Sequence, residues 1–134
     1  MKTFQILSHT ADFRIKVYGK NLEELFENAL NAIFEIVRPT KLGKAIKSKI
    51  KVASLNQNVL LVDFLNAVVF EMQTKKAIFN RIKIEKLTDT NIEAQILGNN
   101  VEKFTKDIKA VTYHEVDIKK SASGGLETNL VFDI

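Results

Sequence analysis

Two hydrophobic periods follow each other in residues 13–37, FRIKVYGKNLEELFENALNAIFEIV. Phe13, Ile15 and Val17 alternate with polar or basic residues, which is typical of a half-buried strand. Beyond Gly19 the apolar residues recur every three or four positions, which is typical of an amphipathic helix. The stretch therefore predicts one strand followed directly by one helix.

Both ends of this helix carry recognisable signals. Asn21 precedes the apolar stripe, and Glu24 lies three positions after Asn21. This spacing approximates a capping box. Pro39 cannot continue a helix, and it disfavours helical backbone in the residue before it. The same helical spacing of apolar residues returns between Leu60 and Met72, so a second helix is predicted there.

Six further segments read as strands because they are apolar or alternate between apolar and polar residues. They cover residues 4–7, 46–52, 78–87, 91–97, 109–118 and 126–133. Short polar stretches at 88–90 and 121–125 predict hairpins, and Gly98-Asn99-Asn100 predicts a turn. Strands outnumber helices and several are joined by hairpins, which predicts one α+β domain over residues 1–134. It should have a mixed, largely antiparallel sheet, two main helices and the order β-β-α-β-α-β-β-β-β.

The composition excludes several classes of site. The chain has 134 residues, a formal net charge of +4, no cysteine and two histidines. Disulfides, thiolate zinc sites, thiol nucleophiles and multi-histidine metal centres are thereby excluded. The sequence contains no Gly-rich phosphate loop, no His-Glu-x-x-His pair and no serine elbow. It also shows no signal peptide and no run of about 18 apolar residues, so we expect a soluble, cytoplasmic protein without a membrane segment.

Asp12 is the first candidate for chemistry, since it lies immediately before the strand that begins at Phe13. By strand parity it shares a face with Arg14 and Lys16, away from the apolar residues. The simpler interpretation is an aspartate that turns the chain or pairs with one of these two cations. The functional interpretation is an oxygen ligand.

Asp133 is the second candidate, and it is followed by Ile134 at the end of the sequence. A terminal carboxylate would lie within a few ångströms of the Asp133 side chain, and two such anions repel unless a cation or a lysine separates them. Hard cations take oxygen ligands of this kind readily. The alternative is a frayed, solvated tail, although the strand-like residues 130–132 favour a tail held in a sheet.

Three basic or titratable residues could accompany the two aspartates. Lys109 is either a solvated lysine at a strand start or a partner of a phosphate or carboxylate. His114 is most simply a half-buried strand histidine, with a role as ligand or proton carrier as the alternative. His9 could orient Asp12 or cap a turn.

The clearest basic feature is the row of Lys47, Lys49 and Lys51 on one face of a predicted strand. The simpler interpretation is a face that keeps the protein soluble or guards a sheet edge. The alternative is a nucleic-acid groove. No aromatic residues alternate with these lysines, so a platform for base stacking is not indicated.

Several segments, in this order and at this spacing, resemble the archease family along nearly the whole chain. The most distinctive is Ile108-Lys109-Ala110-Val111-Thr112-Tyr113-His114. The others are His9-Thr10-Ala11-Asp12, Leu22-Glu23-Glu24-Leu25-Phe26, Leu60-Leu61 with Phe64-Leu65-Asn66, and the closing Val131-Phe132-Asp133-Ile134.

The resemblance implies an accessory protein, itself not an enzyme, that acts beside the GTP-dependent RNA ligase of tRNA splicing and repair. Archease-like proteins promote guanylylation of that ligase and its repeated turnover. The family's metal site would fall on Asp12, Asp133 and Ile134 and hold a divalent cation such as calcium, magnesium or manganese. An alternative within the resemblance is a chaperone-like modulator of a tRNA cytosine methyltransferase. Direct contact with RNA is left open.

Overall fold

The computed structural model describes residues 3–8, 12–39 and 41–134, and it places two helices between two antiparallel sheets. The helices are α1 (Leu22–Val37) and α2 (Gln57–Lys75). The strands are β1 (Phe4–Ser8), β2 (Asp12–Gly19), β3 (Leu42–Ala53), β4 (Ala77–Leu87), β5 (Asn91–Val101), β6 (Ala110–Thr112), β7 (Lys119–Lys120) and β8 (Leu126–Asp133). The α+β class, the two main helices and the predicted element order are confirmed, and the two-residue strand β7 is an addition to that order.

The two sheets are built from different parts of the chain. The first sheet has the strand order β1-β2-β8-β6, with β7 also paired to β8. The second sheet has the order β3-β5-β4, so β5 is its central strand. Each helix contacts strands of both sheets, which makes the molecule a three-layer arrangement with the helices in the middle.

The core fills the space between the two sheets. The alternating residues Phe13, Ile15 and Val17 point inward from β2, and all three are buried. From the second sheet, Ile50 and the inward residues of β5 meet the apolar stripes of the helices. The faces that point away from the helices carry many polar side chains, among them Arg14 and Lys16 of β2 and Lys47 and Lys49 of β3. None of the described helices is long and apolar enough to cross a membrane.

The helix ends follow the predicted signals. Asn21 caps α1 by accepting a hydrogen bond from the Glu24 amide at 2.9 Å, and the Glu24 carboxylate in turn accepts from the Lys20 amide at 3.2 Å. Arg38 adopts a left-handed conformation (φ 41°) immediately before Pro39 and ends the helix.

Two local predictions differ from the structure. The segment 109–118 is not one strand, because β6 ends at Thr112 and Glu115 adopts a left-handed conformation (φ 68°) that reverses the chain. The predicted turn at Gly98-Asn99-Asn100 is instead part of β5. A Cβ atom on Gly98 would lie 1.8 Å from the Ile78 carbonyl oxygen, so the glycine permits the close approach of β4. The hairpins at 88–90 and 121–125 are confirmed by the hydrogen bonds that close them.

Candidate functional site

The candidate site lies at one end of the first sheet, where β2 begins and β8 ends. Asp12 and Asp133 are directly opposite each other in the antiparallel pairing of these strands. Opposed residues of an antiparallel pair point to the same face of the sheet, with Cβ atoms about 5 Å apart. We call these two residues the acidic pair. Asp12 is half-buried and Asp133 is exposed.

The cations nearest along β2 are engaged elsewhere. Arg14 forms an ion pair with Glu115, and Lys16 Nζ lies 3.4 Å from the Glu127 carboxylate. Within the part of the chain that the structure describes, neither carboxylate of the acidic pair has an ion pair or a hydrogen bond. Opposed like charges destabilise a strand pair, so a cation bound at the acidic pair would relieve the repulsion between its two carboxylates.

The end of β8 is held from both sides rather than frayed. Asp133 pairs with Asp12 on one side and with Ala110 on the other, and its carbonyl accepts a hydrogen bond from the Lys109 amide at 2.8 Å. The Ile134 side chain packs against the core. This anchoring holds the main chain of Ile134 and of Lys109 at the same end of the sheet as the acidic pair.

His114 takes a different place from the one expected. His114 follows the end of β6, and its side chain is 76% exposed, with Nε2 3.7 Å from the Glu115 carboxylate. The interpretation of a half-buried strand histidine is therefore wrong, because the strand has already ended. His114 contacts the residue that pairs with Arg14 rather than the acidic pair. His9 lies outside the described residues.

Sequence reasoning missed a set of side-chain amides on α2 that hold the segment between β5 and β8. Asn66 donates to the Val111 carbonyl at 2.9 Å and accepts from the Val111 amide at 2.8 Å. Gln73 donates to the Ile108 carbonyl at 2.9 Å, and Asn58 accepts from the Ile118 amide at 2.8 Å. The available signal was the polar residues that interrupt the apolar stripe of the second predicted helix.

Asp63 extends this set through a side-chain contact. Its carboxylate accepts hydrogen bonds from the Tyr113 hydroxyl and, at 2.6 Å, from the Ser54 hydroxyl. The hydrogen bond to Asp63 raises the pKa of Tyr113 above its usual value near 10, and partial burial adds to the effect. The contact ties the residue before His114 to α2.

The donors that the described residues bring to the site are oxygen atoms. No cluster of three or more His, Cys, Asp or Glu side chains with metal-binding geometry occurs among the described residues. The acidic pair supplies two carboxylates, and among the described residues the main-chain oxygen of Ile134 is the third donor that the sequence predicts. Such a donor set fits a hard divalent cation that keeps open positions, and it suits zinc poorly.

Fold and site together define a class of small α+β protein in which two antiparallel sheets enclose two helices and an acidic pair lies at one sheet end. The Archease protein family matches residues 4–134. The chain belongs to this family.

Relatives of known sequence and structure agree with this assignment. Protein archease of Methanosarcina barkeri is 33% identical over 142 residues, covering 99% of this chain and 97% of the relative. The solution structure of protein 1598 from Methanobacterium thermoautotrophicum superposes with a TM-score of 0.73 at 27% identity, and each chain is covered completely. The crystal structure of a Thermotoga maritima archease, described as a "possible chaperone", has a TM-score of 0.70 at 25% identity, covering 96% of this chain and 94% of that one.

Proposed function

We propose that this protein is an accessory factor that promotes guanylylation and repeated turnover of a GTP-dependent RNA ligase, and that it does so with a divalent cation. The acidic pair and the main-chain oxygen of Ile134 would hold the cation. The observation that carries the proposal is the direct opposition of Asp12 and Asp133 without a counter-ion among the described residues.

The geometry supports a shared site rather than a complete one. Two carboxylates and one main-chain oxygen leave several positions of a six- to eight-coordinate cation open. Those positions could be filled by water or by groups of a second protein and its nucleotide. When bound, the cation would supply charge neutralisation, on which nucleotidyl transfer depends. The chain's own residues then position it, and we propose no turnover of substrate by this protein alone.

Lys109 has a distinct part in this proposal. Its amide is fixed to the Asp133 carbonyl, and its ammonium can balance the carboxylates or meet a phosphate of the ligase complex. Lys109→Ala should retain the fold and lose activation of the ligase. Lys109→Arg should not restore activation, because a planar fork replaces a compact charge.

The test is a guanylylation assay with the cognate ligase and labelled GTP. Substoichiometric amounts of this protein should raise the rate and the number of turnovers, and the protein alone should form no covalent guanylate. Asp12→Asn and Asp133→Asn should each abolish the stimulation. Asp117→Asn is the matched control, since it removes one exposed carboxylate from the segment after β6 and should leave the stimulation intact.

The second candidate function is a chaperone-like modulator of a tRNA cytosine methyltransferase. The description of the Thermotoga maritima relative as a "possible chaperone" favours it. Stimulation of the ligase that survives loss of both aspartates would replace the first proposal with this one. Purification of tagged protein from its host separates the two, since one predicts recovery of the ligase and the other recovery of the methyltransferase.

A further inference from the structure

The outer face of the second sheet carries six cations in two columns. The edge strand β3 contributes Lys47, Lys49 and Lys51, and the opposite edge strand β4 contributes Arg81, Lys83 and Lys86. All six side chains are exposed. We call these six residues the basic face.

The strand register arranges the basic face as a grid. Three residues of the central strand β5 each separate one cation of β3 from one of β4. The rows are Lys47–Leu97–Arg81, Lys49–Gln95–Lys83 and Lys51–Glu93–Lys86. Neighbouring strands are about 4.8 Å apart, so the two columns are about 10 Å apart, and alternate residues within a strand are about 7 Å apart.

The basic face lacks the counter-charges of an ordinary solubilising surface. Within the described ranges, none of its six cations lies within 4.0 Å of a carboxylate. Its strands add only two acids, Glu93 on β5 and the exposed Glu85 at a bulge of β4. Counting Lys44 near the start of β3, the three strands hold seven Lys and Arg residues against two acids, a net charge of +5 in a chain whose formal net charge is +4.

We propose that the basic face binds the phosphate backbone of double-stranded RNA. A broad array of ammonium groups matches a surface of regularly spaced phosphates, and charge neutralisation with release of counter-ions provides the affinity. No aromatic side chain occurs in the three rows, so the face offers no aromatic platform on which unpaired bases could stack. A duplex recognised through its backbone and shape needs no such platform. The choice of RNA over other polyanions rests on the proposed function. The charge pattern itself is independent of that function.

The experiment measures binding of a fluorescently labelled RNA hairpin of about 16 base pairs to the whole protein, in the absence of ligase and GTP. For six phosphate contacts, the affinity should fall about 10³-fold between about 50 and 200 mM KCl. The double variant Lys49→Gln/Lys83→Gln should reduce the slope of log K against log salt by about 2. At a fixed salt concentration near 0.1 M it should bind roughly ten- to fifty-fold more weakly.

Two controls make the result decisive. Lys119→Gln/Lys120→Gln removes the same charge from the exposed strand β7 of the first sheet and should retain the wild-type slope. Asp12→Asn should also bind RNA normally, so failure of this inference is distinguishable from failure of the proposed function. Equal weakening by both lysine pairs, or absence of salt-dependent binding, would overturn the proposal. If polyglutamate displaces the labelled RNA at a tenfold lower concentration than unlabelled RNA does, the face would be assigned to an acidic protein instead.

Discussion

At the residue scale, the opposition of Asp12 and Asp133 has a measurable energetic consequence. Like charges directly opposite each other on neighbouring strands destabilise the pair by about 0.2–1 kcal/mol. Asp12→Asn should therefore raise the free energy of unfolding of the metal-free protein by up to about 1 kcal/mol. The same substitution should abolish stabilisation by calcium, magnesium or manganese, which for a bound ion at a hundred times its Kd is about 2.7 kcal/mol.

Thermal unfolding of both proteins, with and without each cation, measures the two effects together. Asp117→Asn serves as control and should respond to cations as the wild type does. Zinc should stabilise less than the oxygen-preferring ions. Equal stabilisation of wild type and Asp12→Asn would contradict the assignment of the acidic pair as the cation site.

A second residue-scale prediction concerns the Tyr113 hydroxyl. Its pKa in the folded protein is raised because the hydroxyl donates to the Asp63 carboxylate. The folded state therefore holds this proton more tightly than the unfolded state, whose tyrosine pKa is about 10. The contribution to stability is fully present below that value and is lost as the pH rises through the raised pKa.

Absorbance titration of tyrosinate in a Tyr18→Phe background isolates Tyr113, since the chain has two tyrosines. Asp63→Asn should lower the pKa of Tyr113 toward the ordinary value, because the substitution replaces the charged acceptor with a neutral amide. An unchanged titration curve in Asp63→Asn would mean that the hydrogen bond does not form in solution.

At the element scale, the Asn66 side chain of α2 makes the two main-chain hydrogen bonds that a neighbouring strand would make to β6. The amide and carbonyl of one strand residue point to the same side, and for Val111 both are satisfied by the Asn66 side chain. Asn66→Ala would leave two main-chain groups unpaired next to a buried side chain. The cost is about 1–3 kcal/mol in the free energy of unfolding.

Urea unfolding gives this cost, and amide hydrogen exchange at Val111 in β6 should accelerate more than exchange in β8 or β2. Asn99→Ala provides the comparison, because Asn99 makes one side-chain hydrogen bond, to the Gly43 carbonyl at 3.0 Å on the exposed side. That variant should change stability by about 0.5 kcal/mol or less. Equal losses of stability in the two variants would mean that the two hydrogen bonds between Asn66 and Val111 stabilise the protein no more than the single hydrogen bond of Asn99.

At the scale of the whole molecule, one apolar cluster joins both sheets and both helices. Each sheet has one apolar face, and the helices cover it, so neither sheet could bury that face without them. The prediction of a single domain therefore implies one cooperative unfolding transition. Far-ultraviolet circular dichroism and tyrosine fluorescence should give coincident urea curves, and calorimetric and van't Hoff enthalpies should agree. Two separated transitions, one for each sheet, would contradict the single domain.

The helices and strands and their inward faces were predictable from the sequence. A period of two in Phe13, Ile15 and Val17, the helical stripe that follows Asn21 and the stop at Pro39 are local properties, because strand and helix geometry act over a few residues. For this reason the α+β class and the element order were predictable. The motifs that resemble the archease family were also visible in the sequence alone, and the family match confirms them.

Contacts between residues far apart in the sequence depend on how the whole chain packs. The placement of Asp12 opposite Asp133 depends on the register between strands at the two ends of the chain. The basic face exists because β5 inserts between β3 and β4, which brings the two columns of cations onto one surface. Gly98 was mistaken for a turn residue because the close approach of β4 that requires a glycine is invisible locally. Strand pairing is set by the global burial of apolar surface and not by local propensity, so these placements follow from packing the whole chain.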